Sequence, residues 1–226
     1  MPPEGFLSLA SCNQPKGSVF NPKKHFGVIT YQGNGSSPRT IGGLEFKPDF
    51  VWLKDRSGGN WNRLQNSVTG ANKLMYSNSA NQEATDESNG HINAFTSDGF
   101  IVDDASGSAV NGGSNTFVAW CWTAGGAQVN ATNPYAKNGN LYSSLSAAGI
   151  TTGSITPTRM SVNTQAGFSI IKFTATGTAG ATVPHGLGKA PEFVIVKQTN
   201  ADGFQWMCYH ISLGATTCLL YTSPSP

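Results

Sequence analysis

Six acidic residues are the first candidates for chemistry, and the sequence predicts all of them in loops or turns: Glu83, Asp86, Glu87, Asp98, Asp103 and Asp104. A glycoside hydrolase needs two carboxylates that face one bond, about 5 to 9.5 Å apart. The six acids form a first group (Glu83, Asp86 and Glu87) and a second group (Asp98, Asp103 and Asp104). In neither group do the residues alternate along a strand, which is the spacing that would hold two carboxylates on one face. The sequence therefore disfavours a glycan-degrading enzyme, and we expect a protein that is not an enzyme.

The second acidic group has a different use as a set of oxygen ligands. Asp98, Asp103 and Asp104, with the main-chain carbonyl of Asn111, are hard ligands of the kind that calcium takes. The alternative is a hydrated turn, because Asp98-Gly99 is ordinary turn sequence. Calcium is the one cofactor that these residues suggest, since the four histidines and four cysteines show no metal-ligand spacing.

Trp61 is the candidate residue for ligand binding. It follows Gly58-Gly59-Asn60 and precedes Asn62-Arg63, so we predict that it lies on an exposed loop. An exposed aromatic ring flanked by the amide of Asn60 and the guanidinium of Arg63 fits contact with a glycan or a partner. The alternative is a ring that caps the end of the fold, because single surface aromatics are common.

The other aromatic and glycine-rich motifs favour structural roles. Trp52, Trp120 and Trp122 lie in continuous apolar runs, which predicts that they pack in the core. The stretch His185–Lys189 has the glycines of a phosphate loop, but Ala190-Pro191 leads straight into a predicted strand. A phosphate loop needs a following helix to present its amides, so we expect no phosphate site here.

Composition excludes several classes of partner. Charged residues make up 12% of the 226 residues and the formal net charge is +2, with no basic cluster, which disfavours nucleic acid. No segment approaches the ~20 apolar residues of a membrane span, so we predict no membrane insertion. The first residues lack the basic and apolar regions of a signal peptide.

An internal repeat organises the chain. Pro48-Asp49-Phe50-Val51-Trp52-Leu53-Lys54 recurs as Pro191-Glu192-Phe193-Val194-Ile195-Val196-Lys197, and the match extends from Phe26/Phe168 to Gly70/Gly214. Internal repetition predicts a modular architecture. We predict a linker or the tail of a preceding domain over residues 1–20, a complete module over 21–127 (the first copy), an irregular bridge over 128–160 and a truncated module over 161–226 (the second copy).

Short strands separated by Gly- and Asn-rich turns predict an all-β, antiparallel sandwich. The strands of the first copy include Phe26–Gln32, His91–Thr96 and Thr116–Thr123, and no helical period is sustained. In the repeated motif Phe50, Trp52 and Lys54 share one face of the strand, and Val51 and Leu53 share the other. Since both faces are apolar, we expect this strand to be central and covered on both sides.

One set of motifs resembles a recurring module of tailed-phage virion and tail-fibre-like structural proteins: YQGNGSS, FKPDFVWLKDRS, FTSDGF, TFVAWCW, NTQAGFSIIKF and ATVPHGLGKAPEFVIVK. The resemblance covers most of residues 26–124 and 161–215. It implies a concanavalin-A-like or laminin-G-like jelly roll on the virion, in a tail fibre or similar appendage, and it supplies no catalytic residues. The partners it implies are other virion proteins, a host-surface glycan and further copies of the chain. The last residues resemble adapter-derived sequence at the end of a metagenomic reading frame, so we expect a fragment.

Overall fold

The computed structural model describes residues 19, 21–85, 88–103, 109–214 and 219–220. Within these residues the chain forms sixteen strands and two short 3₁₀ turns, at Pro22–Lys24 and Ile211–Leu213. The strands in chain order are β1 (Phe26–Gln32), β2 (Arg39–Gly42), β3 (Phe50–Asp55), β4 (Arg63–Asn66), β5 (Gly70–Tyr76), β6 (Ala84–Thr85), β7 (His91–Thr96), β8 (Gly99–Asp103), β9 (Thr116–Trp122), β10 (Tyr135–Lys137), β11 (Asn140–Tyr142), β12 (Arg159–Asn163), β13 (Phe168–Lys172), β14 (Phe193–Val196), β15 (Met207–His210) and β16 (Leu219–Leu220).

The first copy is a sandwich of two antiparallel sheets. Six strands form one sheet in the order β1-β9-β3-β4-β5-β6, and three form the other in the order β2-β8-β7. The core between them contains residues from both sheets, including Leu53 on β3, Ile92 on β7, Phe100 on β8 and Phe117 on β9. The predicted all-β fold of antiparallel sheets is confirmed, and β3 is central, as expected, between β9 and β4.

Strand β3 shows how the alternating sequence produces this arrangement. Val51 and Leu53 point into the core and are at most 1% exposed, whereas Phe50 and Trp52 lie on the opposite face and are half-buried. The predicted division of the motif into two faces is therefore correct. The two faces of β3 are buried to different extents. The three-stranded sheet buries the inner face completely, whereas only individual side chains cover the outer face.

The strand tryptophans lie on that outer face of the six-stranded sheet and not inside the sandwich core. Trp52 meets Trp120 edge to face, with 6.0 Å between the ring centroids. Trp122 stacks with Phe168 of the second copy at 6.2 Å, and Trp206 joins a small buried cluster beside Trp52. The expected core packing of these rings therefore takes the form of a second apolar layer between the two copies.

A buried carboxylate fixes the end of this sheet. Asp49, which directly precedes β3, is 1% exposed. Its Oδ1 accepts a hydrogen bond from Ser67 Oγ (2.6 Å), and its Oδ2 accepts from the main-chain N–H groups of Ala124 and Gly126 (both 2.8 Å) and from Thr123 Oγ1 (3.3 Å). Because a buried charge is costly unless hydrogen bonds satisfy it, Asp49 must hold these three segments together.

The chain that leaves β9 is also held from the other side. Gly125 N donates to Ser161 Oγ at 2.7 Å, and Gly139 N donates to the Gly125 carbonyl at 2.7 Å. Asn163 Nδ2 lies 3.0 Å from His25 Nδ1, next to the start of β1. The junction between the copies is thus bonded to both of them.

The bridge and the second copy together form two smaller sheets. One has the order β11-β10-β12-β13, in which β10 and β12 run parallel, and it has its own core around Tyr135, Met160 and Val162. The other has the order β14-β15-β16. The stretch 128–160, for which we predict an irregular bridge, carries β10, β11 and the first residues of β12.

The β14–β15 hairpin rests on the first copy through its connecting loop. Trp206 Nε1 donates to the Tyr76 carbonyl at 2.9 Å. Gln82 N donates to Asp202 Oδ1 at 2.8 Å, and Glu83 N donates to the Thr199 carbonyl at 2.9 Å. These hydrogen bonds fix the loop of the second copy on the segment that follows β5.

No helix in the described residues is long and apolar enough to span a bilayer.

Candidate functional site

The loop that carries Trp61 is built around Asp55, the last residue of β3. Asp55 Oδ1 accepts hydrogen bonds from the main-chain N–H groups of Ser57 and Gly58, each at 3.0 Å. Its Oδ2 accepts from Asn60 Nδ2 at 2.7 Å and from Asn115 Nδ2 at 2.8 Å. With Ser57 Oγ, which donates to Oδ1 at 3.2 Å, five donors from two loops therefore converge on one carboxylate and set the course of residues 56–60.

The ionisation of Asp55 follows from these contacts. Burial works to raise the pKa of Asp55, but the hydrogen bonds from Asn60, Ser57, Gly58 and Asn115 outweigh burial and hold the pKa below its ordinary value. A Cβ atom at Gly58 would lie 2.5 Å from Asp55 Oδ2, so a larger residue there would displace the carboxylate from its donors. The loop is thus pre-formed while Asp55 is charged.

Trp61 is held by an aromatic contact and remains accessible. Its ring meets Tyr76 of β5 edge to face, with the centroids 5.0 Å apart, and 47% of the residue is exposed. Arg63 at the start of β4 supports this pair, since its guanidinium lies 5.7 Å from the centre of the Tyr76 ring and its Nη1 donates to the Trp61 carbonyl at 3.1 Å. The tryptophan is therefore presented at a fixed angle.

These residues line a cleft of about 340 Å³. Its wall consists of one exposed tryptophan, one tyrosine, one arginine, three asparagines and a glycine: Trp61, Tyr76, Arg63, Asn60, Asn81, Asn89 and Gly59. The volume is at the small end of the ~300–1,000 Å³ typical of ligand clefts. In such a cleft the amide groups can form hydrogen bonds with the hydroxyl groups of a ligand. The exposed aromatic ring can stack on an apolar face of that ligand.

The structure brings together the three residues that the sequence nominates, Asn60, Trp61 and Arg63. Their roles differ, because Arg63 is 3% exposed and its Nε donates to the Gly90 carbonyl at 2.9 Å. Arg63 therefore supports the wall of the cleft, while Trp61 forms its open surface. Asn60 links the cleft to Asp55 through its Nδ2 atom.

Three further residues line the cleft that the sequence does not nominate: Tyr76, Asn81 and Asn89. They reach the cleft through the pairing of β4 with β5 and through the fold of the polar segment after β5. The sequence does contain one usable signal, since Asp55-Arg56-Ser57-Gly58 is typical of a turn in which an aspartate binds the following amides.

The residues suggested as calcium ligands are not brought together. Asp98 precedes β8 and Asp103 ends it, so they lie at opposite ends of the strand, about 16 Å apart. Asp98 Oδ1 accepts from Thr96 Oγ1 at 3.3 Å, and Asp103 Oδ1 accepts from Ser37 Oγ at 2.6 Å. Asp104 lies outside the described residues. The Asn111 carbonyl, the fourth suggested ligand, accepts from Gly35 N at 2.8 Å.

Glu83 is the described member of the first acidic group, and Asp86 and Glu87 lie outside the described residues. Burial raises the pKa of Glu83, and the charges of Lys172 and Lys73 oppose this only in part. Among the described residues, no group of three or more His, Cys, Asp or Glu side chains could hold a metal ion. Cys121 is buried in β9, and this burial raises its pKa to about 12, so the thiol behaves as a small apolar group.

A larger cleft of about 550 Å³ lies between the bridge and the second copy, and the loop His185–Lys189 forms one side of it. Lys137 lies on the other side, where its Nζ donates to the Ala148 carbonyl at 2.9 Å. The residues after Lys189 lead to β14 and not to a helix. The loop therefore lacks the helix that would direct a row of amides at a phosphate.

A family model described as a domain of unknown function (DUF7483) matches the chain twice, over residues 21–149 and 135–224. The chain belongs to this family. No curated protein and no solved structure matches it. The two family matches share residues 135–149, the part that includes β10 and β11. The Trp61 cleft lies entirely within the first family match.

Proposed function

We propose that the chain is a non-catalytic adhesion module that binds saccharide through the Trp61 cleft. The observation that carries this proposal is a tryptophan, half-exposed and fixed in orientation, on a cleft lined by three asparagine residues. A saccharide offers a weakly polar ring face for the indole and hydroxyl groups for the amides. The cleft is small enough for one or two sugar rings to fill it.

The biological setting that we propose is a tail fibre or similar appendage of a phage virion. It rests on the resemblance of the repeated motifs, which also implies other virion proteins and further copies of the chain as partners. The finer fold that we propose is a jelly roll of the concanavalin-A or laminin-G type, supported by the two facing antiparallel sheets of the first copy. In this setting the ligand is a glycan of the host surface.

The acidic residues support a role without catalysis. The separation of Asp98 and Asp103 along β8 exceeds the 5 to 9.5 Å that a pair of glycosidase carboxylates requires. Asp55, which binds the cleft residue Asn60, already accepts four hydrogen bonds from protein donors besides that of Ser57 Oγ. It therefore acts on the loop and not on a ligand.

The test is a screen of the full chain against an array of bacterial-surface saccharides, with and without calcium. Trp61→Ala should abolish binding and change the free energy of unfolding by about 1 kcal/mol, the value of one aromatic pair. Phe204→Ala is the matched control, because Phe204 is 50% exposed in the corresponding loop of the second copy and does not line the cleft. Binding that survives in Trp61→Ala, or a folded chain that binds no saccharide, overturns the proposal and leaves Trp61 as a cap on the sandwich.

A further inference from the structure

One wall of the Trp61 cleft lies where the second copy is attached to the first. That wall includes Tyr76, the last residue of β5, and Asn81, which belongs to the segment 77–83 between β5 and β6 (the cleft segment). The element that contacts the cleft segment is the loop 197–206 between β14 and β15 (the docking loop). Two residues of the cleft wall are therefore next to the second copy.

The docking loop forms hydrogen bonds on both sides of Asn81. The carbonyl of Ala80, the preceding residue, accepts from Gly203 N at 3.1 Å. The N–H of Gln82, the following residue, donates to Asp202 Oδ1 at 2.8 Å. These two groups belong to the two peptide units that flank the Asn81 Cα atom. The second copy therefore fixes the main chain on each side of this cleft residue.

The cleft segment has little regular structure of its own to fix this position. It is irregular over its whole length, and Asn81 is exposed. Inside the segment the Asn81 N–H donates to Ser79 Oγ at 3.1 Å. Because an irregular segment has no strand ladder to define its course, its conformation depends on bonds of this kind and on those from the docking loop.

Trp206 anchors the docking loop at its other end. Its indole Nε1 donates to the Tyr76 carbonyl at 2.9 Å and to the Ser79 carbonyl at 3.2 Å. The residue is 8% exposed and packs with Leu64 and Met75 of the first copy. Leaving a buried donor and its acceptors without partners is costly, so the loop has one preferred position on the first copy.

We propose that the docking loop is a structural part of the saccharide site, in which Asp202 and Trp206 are positioning residues that act through Asn81. The first copy then binds saccharide at full affinity only while the second copy is docked on it. The physical reason is pre-organisation, because a residue that is already fixed at the cleft loses less conformational entropy when the ligand binds. This inference rests on the proposed function of the Trp61 cleft.

The test compares variants of the full chain on the same array of bacterial-surface saccharides, and then titrates the array saccharide that the wild type binds best. Asp202→Ala removes the acceptor of the Gln82 N–H and should weaken binding about three- to tenfold, the equivalent of one hydrogen bond. Asp202→Asn keeps an acceptor oxygen and should bind within about twofold of the wild type. Gln205→Ala is the matched control, because Gln205 is exposed in the same loop and should not change binding.

Trp206→Phe tests the other anchor. It keeps an aromatic ring in the buried cluster and removes the N–H that bonds the Tyr76 and Ser79 carbonyls. We expect binding to weaken at least as much as in Asp202→Ala, because Tyr76 also lines the cleft. Urea unfolding of each variant shows that the chain is folded under the conditions of the titration.

A double variant separates positioning from a general loosening of the fold. If Asp202 acts through Asn81, Asn81→Ala with Asp202→Ala should bind no more weakly than Asn81→Ala alone. Losses that add in the double variant overturn the inference. Wild-type affinity in both Asp202→Ala and Trp206→Phe also overturns it, and leaves the proposed function intact if Trp61→Ala abolishes binding. A folded wild type that binds no saccharide is a different result, which overturns the proposed function and this inference with it.

Discussion

Strands β3 and β14 carry the same seven-residue motif and have different surroundings. β3 has strands on both sides and a sheet packed against its inner face, whereas β14 pairs with β15 alone among the residues that the structure describes. Residues that are buried in β3 are less buried in β14 at equivalent positions: Leu53 is 1% exposed and Val196 is 42% exposed, while Val51 is fully buried and Val194 is half-buried. A motif of this kind therefore specifies a strand and the direction of its side chains, and the neighbouring strands decide whether those side chains are buried.

The acidic position of the motif gives the largest expected difference between the copies. Asp49→Ala should lower the free energy of unfolding by about 3–5 kcal/mol, because it leaves two main-chain N–H groups, that of Ala124 being buried, and two hydroxyls without their acceptor. Glu192→Ala should change it by less than about 0.5 kcal/mol, since Glu192 is exposed. Urea unfolding followed by tryptophan fluorescence measures both. Equal costs would show that the motif acts alike in the two copies.

The apolar position at the end of the motif gives the next difference. Leu53→Ala should cost about 3 kcal/mol, because the cavity lies among fully buried side chains. Val196→Ala should cost less than about 1 kcal/mol, since much of Val196 is already in contact with solvent. The same urea titration applies. If Val196→Ala lowered the free energy of unfolding nearly as much as Leu53→Ala, the side chain of Val196 would be buried in solution. That result would contradict the difference in burial between β3 and β14.

The residue after the motif gives the smallest difference, and this one depends on pH. Asp55→Asn should cost about 1–2 kcal/mol at pH 7 through its hydrogen bonds. The folded state lowers the pKa of Asp55, so this contribution is present above its ordinary value of 3.8 and is lost as the pH falls through the lower folded value. The corresponding residue of the second copy is Gln198, which does not titrate, so Gln198→Ala is the control.

Unfolding measured at pH 7 and at about pH 3 separates the two positions. The stability gap between the wild type and Asp55→Asn should narrow at the lower pH. The gap for Gln198→Ala should stay constant. A gap for Asp55→Asn that does not change with pH would show that its carboxylate has the same pKa in the folded and unfolded chains.

The sequence was a good guide to local structure. The turn residues and the alternation of apolar residues predicted β1 and β7 with the bounds that the structure has, and β9 to within one residue. Asn60, Trp61 and Arg63 were found together because they are close in sequence and lie on one loop. These features depend on short-range geometry, which residue type and spacing express directly.

The sequence was a poor guide to contacts between distant segments. Nothing in the motif indicates that β9 enters between β1 and β3, or that Asn81 and Asn89 join Trp61 in one cleft. Trp52 and Trp122 resembled core residues, since an apolar strand has the same pattern whether its cover is a sheet or the side chains of a second module. The acceptors and donors around Asp49 come from residues up to 77 positions away. Such contacts follow from tertiary packing, which the pattern within one strand does not encode.

The position of Asp49 has a mechanical consequence. Its carboxylate bonds the two N–H groups, Ala124 and Gly126, through which the chain leaves the first sandwich, and Ser161 bonds the Gly125 N–H between them from the opposite side. A tensile load on the chain would meet several hydrogen bonds at once before the junction could bend. Tandem units joined in this way would keep a constant angle and spacing. They would transmit force as a stiff rod and not as domains joined by flexible linkers.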